Sequence, residues 1–354
     1  MNDSVVSLLC ELIRMKPVSN QVENVNRVVD RLHAELSSMG LYCQIEDING
    51  RKCLYAATVE DKSPDYLLNA HVDVVPADSS MFEPQVRDGF LYARGSDDCL
   101  GCCVAMVEVL RQLKGKASCG AVFSSDEEIG GATTAAMVER GYGAKKAVLV
   151  IDSQWGVISY AQKGAMVVKL TAGSESGGGH SSEPWAIENP IETLMEDYAR
   201  IRAEWSNPTE DDQWKKSISP TIISGGSVQN QIPSEASLTM NIRIVEAAEV
   251  QEVEALIRRC CRSRVEISVS CLPVTTSADH PELTRLRQVM SEHFNGEVPL
   301  FRMNGATDAR AFVVLGKPIA ILGVDGDKMH STGEYVRLDS ICELTDMIVK
   351  FIAG

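Results

Sequence analysis

The sequence lacks any hydrophobic run close to the roughly 20 residues that a membrane-spanning helix needs. Its first residues, MNDSVVSLLCELIRMK, lack the basic start and the small-residue cleavage site of a secretory signal peptide. Basic residues are also scarce, because 34 Lys and Arg stand against 49 Asp and Glu and leave a net charge of −15. This acidity disfavours nucleic acids and anionic membranes as partners. We therefore expect a cytoplasmic protein with neither partner.

The cysteine pattern lacks the features of a disulfide framework. There are 11 cysteines, an odd number, and two pairs of them are adjacent, at Cys102/Cys103 and Cys260/Cys261. A secreted chain of 354 residues stabilised by disulfides would be expected to space its cysteines differently. The pattern predicts a reducing compartment and thiols that are mostly buried.

The segment GSDDCLGCC, at positions 95–103, places two aspartates directly before three cysteines. It allows three interpretations: a thiolate metal site, a redox pair formed by Cys99 and Cys102, or a carboxylate site whose cysteines only pack. The thioredoxin-like context of a redox C-x-x-C motif is absent. Cys103, Met106 and Leu110 follow one another at helical spacing on an apolar face, which favours packing.

The length predicts two domains, and the first of them has an alternating pattern of strands and helices. Four short apolar runs end at once in polar or acidic residues, and apolar residues at helical spacing lie between them. This order predicts a three-layer α/β domain with a mostly parallel sheet. A helix with a capping box at Asn20 and Glu23, ended by Gly40, precedes them. The four runs are DYLLNAHVD, CGAVFSSDEE, KKAVLVIDS and KPIAILGVD.

The middle of the chain has a different order of elements. Its patterns read strand, helix, strand, strand, helix, strand, which is the split βαβ plan of ferredoxin-like domains. The run KPIAILGVD returns to the buried-strand style afterwards, so this segment is inserted into the α/β domain. We place the α/β domain at residues 1–163 and 275–354 and the inserted domain at residues 164–274.

Histidines and carboxylates collect where the apolar runs end. Because ligands bind at the carboxyl ends of strands in open α/β sheets, we expect these residues to meet in one crevice. Two histidines with several carboxylates are a zinc-type ligand set, and the surplus of carboxylates indicates two ions. The residues concerned are His71, Asp73, Glu127, Glu128, Asp152 and His330.

A short acid is needed to reach both ions, and Asp98 is our candidate. It starts a predicted helix whose dipole favours a negative charge, although Asp97 remains an alternative for the same role. Adjacent residues at a strand end point in opposite directions, so one of Glu127 and Glu128 can bind metal while the other acts as general base. Asp73, two residues after His71, can hold the tautomer of its imidazole.

These motifs together resemble the co-catalytic zinc exopeptidases and deacylases. That family includes acetylornithine deacetylase, succinyl-diaminopimelate desuccinylase, carboxypeptidase G, aminoacylases and carnosinase-like dipeptidases. The motifs lie between positions 71 and 335 in the family's order, and their combination is specific although each alone is weak. They are HVDVVP, ARGSDDCLG, SSDEEIGG, VIDS, GGHSSEP, NQIPSEASLTMNIR, GATDAR and MHSTGEYV.

The resemblance implies two Zn²⁺ ions per subunit, with Co²⁺ or Mn²⁺ as substitutes. One zinc would be held by His71, Asp98 and Asp152, and the other by Asp98, Glu128 and His330. Glu127 would be the general base and then the proton donor to the leaving amine. Asp73 would orient the imidazole of His71.

The resemblance also gives the inserted domain the role of a lid and dimerisation domain, so a homodimer is expected. His180 matches the family histidine that crosses to the neighbouring subunit's site and stabilises the oxyanion. Asn230, Arg243, Gly305 and Arg310 match positions that hold the substrate's carboxylate and carbonyl.

One departure concerns the segment after the bridging aspartate. The family usually has D-x-K-G there, whereas this chain has Asp98-Cys99-Leu100-Gly101. The G-x-x-D-x-x-G spacing favours Asp98 over Asp97. The function implied is hydrolysis of the amide bond of an N-acyl amino acid or short peptide, which releases a free amino acid.

Three alternatives remain at this stage. The chain can be a di- or tripeptidase of the same family, or a metal- or peptide-binding protein without catalysis. It can also be an enzyme under redox control through Cys99 and Cys102.

Overall fold

Helices and strands alternate along the first part of this computed structural model, which describes residues 3–354. None of the helices in that range combines the length and hydrophobicity needed to span a bilayer. The α-helices are α1 (Asp3–Arg14), α2 (Val22–Ser38), α3 (Leu100–Leu113), α4 (Ala132–Glu139), α5 (Pro190–Ala203), α6 (Glu249–Cys260), α7 (Pro281–Phe294) and α8 (Leu338–Ala353). The strands are β1 (Tyr42–Ile48), β2 (Arg51–Ala57), β3 (Tyr66–His71), β4 (Gln85–Arg87), β5 (Phe90–Tyr92), β6 (Cys119–Ser124), β7 (Ala147–Ile151), β8 (Ile158–Gln162), β9 (Gly164–Gly173), β10 (Gly179–His180), β11 (Ser217–Gly225), β12 (Gln231–Ile232), β13 (Glu235–Ile244), β14 (Arg264–Cys271), β15 (Val274–Thr275), β16 (Leu300–Met303), β17 (Ile319–Leu322), β18 (Gly326–Asp327) and β19 (Tyr335–Arg337).

The chain divides into two compact units. Unit 1 consists of the residues up to Ala161 together with Val274–Arg302 and Thr307–Gly354. Unit 2 consists of Gln162–Pro273 and the short segment Met303–Ala306. That short segment begins at Met303, the last residue of β16, so two separate stretches of the chain belong to unit 2.

Unit 1 is built on a large sheet with the strand order β1-β2-β6-β3-β7-β17-β8-β15, and β16 pairs with β8. The four central neighbours β6, β3, β7 and β17 are parallel, and they are the four apolar runs of the sequence. A central strand is buried on both faces and therefore reads as a continuous apolar run. The predicted mainly parallel α/β fold is confirmed, whereas the flanking pairs β1/β2, β2/β6 and β17/β8 are antiparallel.

Both faces of this sheet are covered. Successive side chains of a strand point to opposite faces, and Leu68 of β3 and Leu149 of β7 join one hydrophobic cluster with residues of α1, α2, α3, α7 and α8. The residues beside them on the other face, Leu67 and Val148, are equally buried. There α4 packs against β2 and β6. The result is the predicted three-layer arrangement.

Unit 2 is built on a smaller antiparallel sheet with the order β11-β13-β9-β14. Its elements follow the chain as β9, α5, β11, β13, α6 and β14, so the predicted βαββαβ order is confirmed. Alternate residues of β13, such as Met240 and Ile242, are buried in a cluster with α5 and α6. The two-stranded pair β10/β12 lies outside this sheet.

The start of α2 differs from the predicted capping box. The residue that precedes the helix is Gln21 rather than Asn20, and its side chain caps no backbone N–H group. The chain just before it is held by a bridge between Val18 and Val74, which lies beyond the end of β3. Gly40 follows the helix with φ of +69°, a conformation that glycine adopts without strain, and ends it as predicted.

Candidate metal centre

The ends of neighbouring parallel strands bring the candidate ligands together in unit 1. His71 is the last residue of β3 and pairs with Ser124, the last residue of β6. Asp152 directly follows β7, and its N–H donates to the carbonyl oxygen of Leu322 at the end of β17, at 2.7 Å. Because these strands are parallel, their carboxyl ends share one edge of the sheet.

Two groups of possible ligands meet at this edge, and they share Asp98. One contains His71, Asp98, Cys99 and Asp152, and the other contains Asp98, Glu128 and His330; within each group the ligand atoms lie within 4.8 Å of one another. The shared carboxylate has its Oδ1 2.9 Å from His71 Nε2 and its Oδ2 3.1 Å from His330 Nε2. Imidazole and carboxylate donors in this number fit a pair of divalent cations.

Asp97, the alternative to Asp98, belongs to neither group. Its carboxylate lies against the backbone of Gly326, where a Cβ would approach its Cγ to 2.3 Å. Burial, with the charge of Glu334 nearby, raises the pKa of Asp97 to about 8. Its position is therefore that of a buried neighbour of the ligand groups.

The charges at the centre are crowded, and its carboxylates are largely buried, whereas the side chain of His330 is 53% exposed. Burial raises the pKa of Asp152 to about 7 and that of Glu127 to about 9. Burial also opposes the ionisation of Asp98, but hydrogen bonds from His330 and His71 outweigh it and lower the pKa of this carboxyl. The hydrogen bond to Asp98 raises the pKa of His330 to about 9. Bound cations would balance the negative charge of these carboxylates.

Asp73 is fully buried, and its contacts differ from the expected pairing with His71. The imidazole Nδ1 lies 2.8 Å from the backbone carbonyl oxygen of Asp73 and 3.5 Å from its carboxylate Oδ1. The same Oδ1 accepts the backbone N–H of Glu127 at 3.1 Å. The nearest partner of the imidazole is thus a backbone carbonyl, and the carboxylate holds the chain at Glu127.

Arg310 lies beside the carboxylate of Glu127. Its Nη2 is 3.4 Å from Glu127 Oε1 and 3.8 Å from Asp308 Oδ1, and it makes no hydrogen bond. Asp308 is fixed by hydrogen bonds to its Oδ2 from Ser124 Oγ and Thr134 Oγ1, both at 2.6 Å. Asp308 therefore ties the short helix that carries Arg310 to β6 and α4.

Sequence reasoning assigned no role to Arg94 and Glu334, which form a buried ion pair beside the ligands. Glu334 Oε1 accepts the backbone N–H groups of Asp97 and Asp98, each at 3.1 Å. Arg94 also donates to the carbonyl oxygen of Ser331, next to His330, at 3.3 Å. Arg94 lies in the motif ARGSDDCLG and Glu334 in the motif MHSTGEYV. A basic residue in one motif and an acidic residue in the other could have indicated an ion pair between them.

The other predicted site residues lie in unit 2. His180 pairs with Gln231 across β10 and β12, and the N–H of Ser181 donates to the carbonyl oxygen of Asn230 at 3.0 Å. The structure thus places His180 and Asn230 on neighbouring stretches of chain. Arg243 lies on β13 and donates from Nε to Asn241 Oδ1 at 3.1 Å. Gly305 belongs to the segment Met303–Ala306.

All 11 cysteines are free, and those of the GSDDCLGCC segment are buried. Burial raises the pKa of the Cys99 and Cys103 thiols well above the usual range. Reactive cysteines instead have lowered pKa values and are partly exposed. These properties disfavour the redox hypothesis for Cys99 and Cys102.

Comparisons with known proteins agree with this geometry. A model of "Peptidase family M20/M25/M40" matches residues 67–354. A probable succinyl-diaminopimelate desuccinylase of Staphylococcus aureus (strain N315) is 26% identical over 395 aligned positions, which cover 97% of this chain and 95% of that protein.

Two solved structures of low sequence identity show the same fold. The aminopeptidase PepT of Bacillus cereus superposes with a TM-score of 0.82 at 17% identity, covering 99% of this chain and 97% of that one. The YXEP protein of Bacillus subtilis, described as a dinuclear metal binding peptidase, superposes with a TM-score of 0.74 at 12% identity. That match covers 99% of this chain and 97% of the other.

Proposed function

The chain belongs to peptidase family M20/M25/M40, and from that premise we propose that it releases a free amino acid by hydrolysing the amide bond of an N-acyl amino acid or a short peptide. The family expected from the motifs is confirmed by this membership. The observation that carries the proposal is the carboxylate of Asp98, shared by two ligand groups, with Glu127 directly before Glu128 of one group in the chain. This is the donor arrangement of a two-metal hydrolase.

The proposed cations are two Zn²⁺ ions, for which Co²⁺ or Mn²⁺ can substitute. His71, Asp98 and Asp152 would hold one, and Asp98, Glu128 and His330 would hold the other. The Cys99 thiol, which also lies in the first group, donates its proton to the carbonyl oxygen of Ile151 and is left out of the ligand set. A bound pair of this kind lowers the pKa of water held there and polarises the substrate's carbonyl group.

Glu127 is the proposed proton carrier. Its carboxylate accepts a proton from the attacking water and then delivers it to the departing nitrogen. The hydrogen bond from its backbone N–H to Asp73 Oδ1 fixes the chain at this point. His71 donates from Nδ1 to the carbonyl oxygen of Asp73, so in the neutral imidazole the lone pair lies on Nε2. That nitrogen, now 2.9 Å from Asp98 Oδ1, is the one that would bind a cation.

Recognition of a substrate carboxylate is assigned to Arg310. Its Nη2 is buried without a hydrogen bond and lies 3.4 Å from the proposed proton carrier, Glu127. A guanidinium in this state is suited to pair with a carboxylate. In unit 2 we assign oxyanion stabilisation to His180 and further substrate contacts to Asn230, Arg243 and Gly305.

The proposal includes a homodimer formed through unit 2. β11 is an outer strand of its sheet, so one row of its backbone groups has no neighbour in that sheet. Ile222 and Ile223 are consecutive and 64% and 70% exposed, so both faces of this strand present apolar side chains. A second copy adding its own β11 would pair these backbone groups and place its own apolar side chains beside the two isoleucines.

The free cysteines support a reducing compartment, the cytoplasm.

Metal analysis and a substrate panel test this function. After reconstitution with Zn²⁺, we expect two ions per subunit and turnover of N-acyl amino acids or short peptides. Glu127→Gln should lower kcat about 10²- to 10⁴-fold. The control Glu139→Gln changes an exposed glutamate of α4 and should be neutral.

Each contrary outcome rejects a different part of the proposed function. Fewer than two ions, or full activity of Glu127→Gln, would reject the mechanism. Two bound ions without turnover of any amide would favour the non-catalytic binding protein. Turnover confined to di- and tripeptides would favour the peptidase alternative.

A further inference from the structure

Three cysteine thiols contact three of the segments that carry ligands. Cys99 donates from Sγ to the carbonyl oxygen of Ile151, the residue before Asp152, at 3.0 Å. Cys103 donates to the carbonyl oxygen of His71 at 3.1 Å. The third thiol, that of Cys102, makes a weaker contact of 3.7 Å with the carbonyl oxygen of Asp97, the residue before Asp98.

All three thiols come from one turn at the start of α3. Cys99 is the residue that precedes the helix, and Cys102 and Cys103 lie in its first turn. This turn lies close to the preceding chain, because a Cβ on Gly101 would lie 2.3 Å from the carbonyl oxygen of Ser96. Leu100, which stands where the resembling family usually has lysine, is fully buried in the hydrophobic core. A closely packed turn thus presents the donors to the ends of β3 and β7.

The two shorter contacts, those of Cys99 and Cys103, concern one ligand group only. The ligands His71 and Asp152 lie on segments that Cys103 and Cys99 hold. Glu128 and His330 lie on segments that receive no hydrogen bond from these thiols, as far as the described hydrogen bonds go. Removing a thiol donor should therefore affect the two groups unequally.

We propose that Cys99 and Cys103 are positioning residues that set the spacing of His71, Asp98 and Asp152 and thereby raise the affinity of this group for its cation. Cys102 adds a weaker contact of the same kind. The cysteines after the bridging aspartate thus have a role beyond filling the core. This inference rests on the proposed function, since it assumes that the ligand groups bind metal.

The test measures metal binding and does not depend on turnover. Cys99→Ala and Cys103→Ala are titrated with Zn²⁺ against a chromogenic chelator, as full-length protein alongside the wild type. Loss of an outer contact to a metal ligand commonly weakens binding about 10- to 100-fold. We expect a loss of that size for one of the two ions and little change for the other.

Serine variants and a distant cysteine serve as controls. Cys99→Ser and Cys103→Ser keep a donor on a shorter arm, so their affinity should lie between those of the alanine variants and the wild type. Cys119 is equally buried, but the hydrogen bond described for its Sγ goes to the carbonyl oxygen of the next residue, Gly120, at 3.7 Å. Cys119→Ala should leave both affinities unchanged. If the alanine variants fail to fold, the positioning role is tested by comparing the zinc affinities of the serine variants with those of the wild type.

The possible outcomes distinguish a failure of the positioning role from a failure of the proposed function. A wild type that binds two ions, with variants that match it or lose both ions equally, would overturn the positioning role alone. Weakening of metal binding by Cys119→Ala as strong as that caused by Cys99→Ala would also overturn the positioning role. A wild type that binds fewer than two ions would overturn the proposed function, and this inference with it.

Discussion

The guanidinium of Arg94 lies 2.5 Å from the carboxylate of Glu334, 240 positions later in the sequence, and both side chains are buried. The pair joins two loops of the metal centre, because Glu334 binds the backbone of Asp98 and Arg94 binds the carbonyl oxygen of Ser331. Ala93 also donates from its N–H to the carbonyl oxygen of Glu334, where β5 and β19 pair. One ion pair thus holds the carboxylate of Asp98, which both ligand groups share, near the loop that carries His330.

Removing one member of this pair should destabilise the metal-free protein. Glu334→Ala leaves the Arg94 guanidinium buried without its partner, which typically costs about 3–5 kcal/mol. The control Glu254→Ala breaks an exposed pair with Arg258 on α6 and should cost less than about 1 kcal/mol. The free energy of unfolding in urea, measured on apoprotein, compares them. Equal losses in the two variants would contradict the role given to Glu334.

Sequence periodicity was sufficient to predict the four central strands and the grouping of the candidate ligands at their ends. Those strands are buried on both faces, so each reads as an apolar run that ends in a charged or polar residue. The role of Glu334 could not be read in this way, since its partners lie more than 230 positions away. The start of α2 was misplaced because a bridge from Val18 to Val74, also distant in sequence, fixes the chain there.

The substitution Asp98→Ala should reduce the affinity for both ions, because the carboxylate of Asp98 belongs to both ligand groups. Asp152→Ala removes a ligand from one group and should release one ion per subunit. Asp97→Ala leaves both groups intact and should retain two. The measurement is bound metal per subunit after dialysis against metal-free buffer. If Asp97→Ala lost both ions while Asp98→Ala kept them, Asp97 would be the bridge.

Arg310→Met should weaken the binding of substrates that have a free carboxylate. Hydrogen bonds to charged groups contribute about 1.5–3 kcal/mol, which corresponds to a rise in KM of about 10- to 100-fold. Substrates whose carboxylate is capped as an amide lack this contact, so the variant and the wild type should handle them alike. Steady-state kinetics on both substrate forms measures the difference. An equal effect on capped and free substrates would assign Arg310 to holding Glu127 instead.

A charge on β11, an outer strand of the sheet in unit 2, should prevent dimer formation. Ile223 is 70% exposed on β11, and lysine there would place a charge in the proposed interface. Val314 is 77% exposed in unit 1, so Val314→Lys is a matched control outside that interface. Light scattering after gel filtration should give twice the subunit mass for the wild type and Val314→Lys. Ile223→Lys should elute as a single subunit. A monomeric wild type, or a dimeric Ile223→Lys, would reject β11 as the contact between subunits.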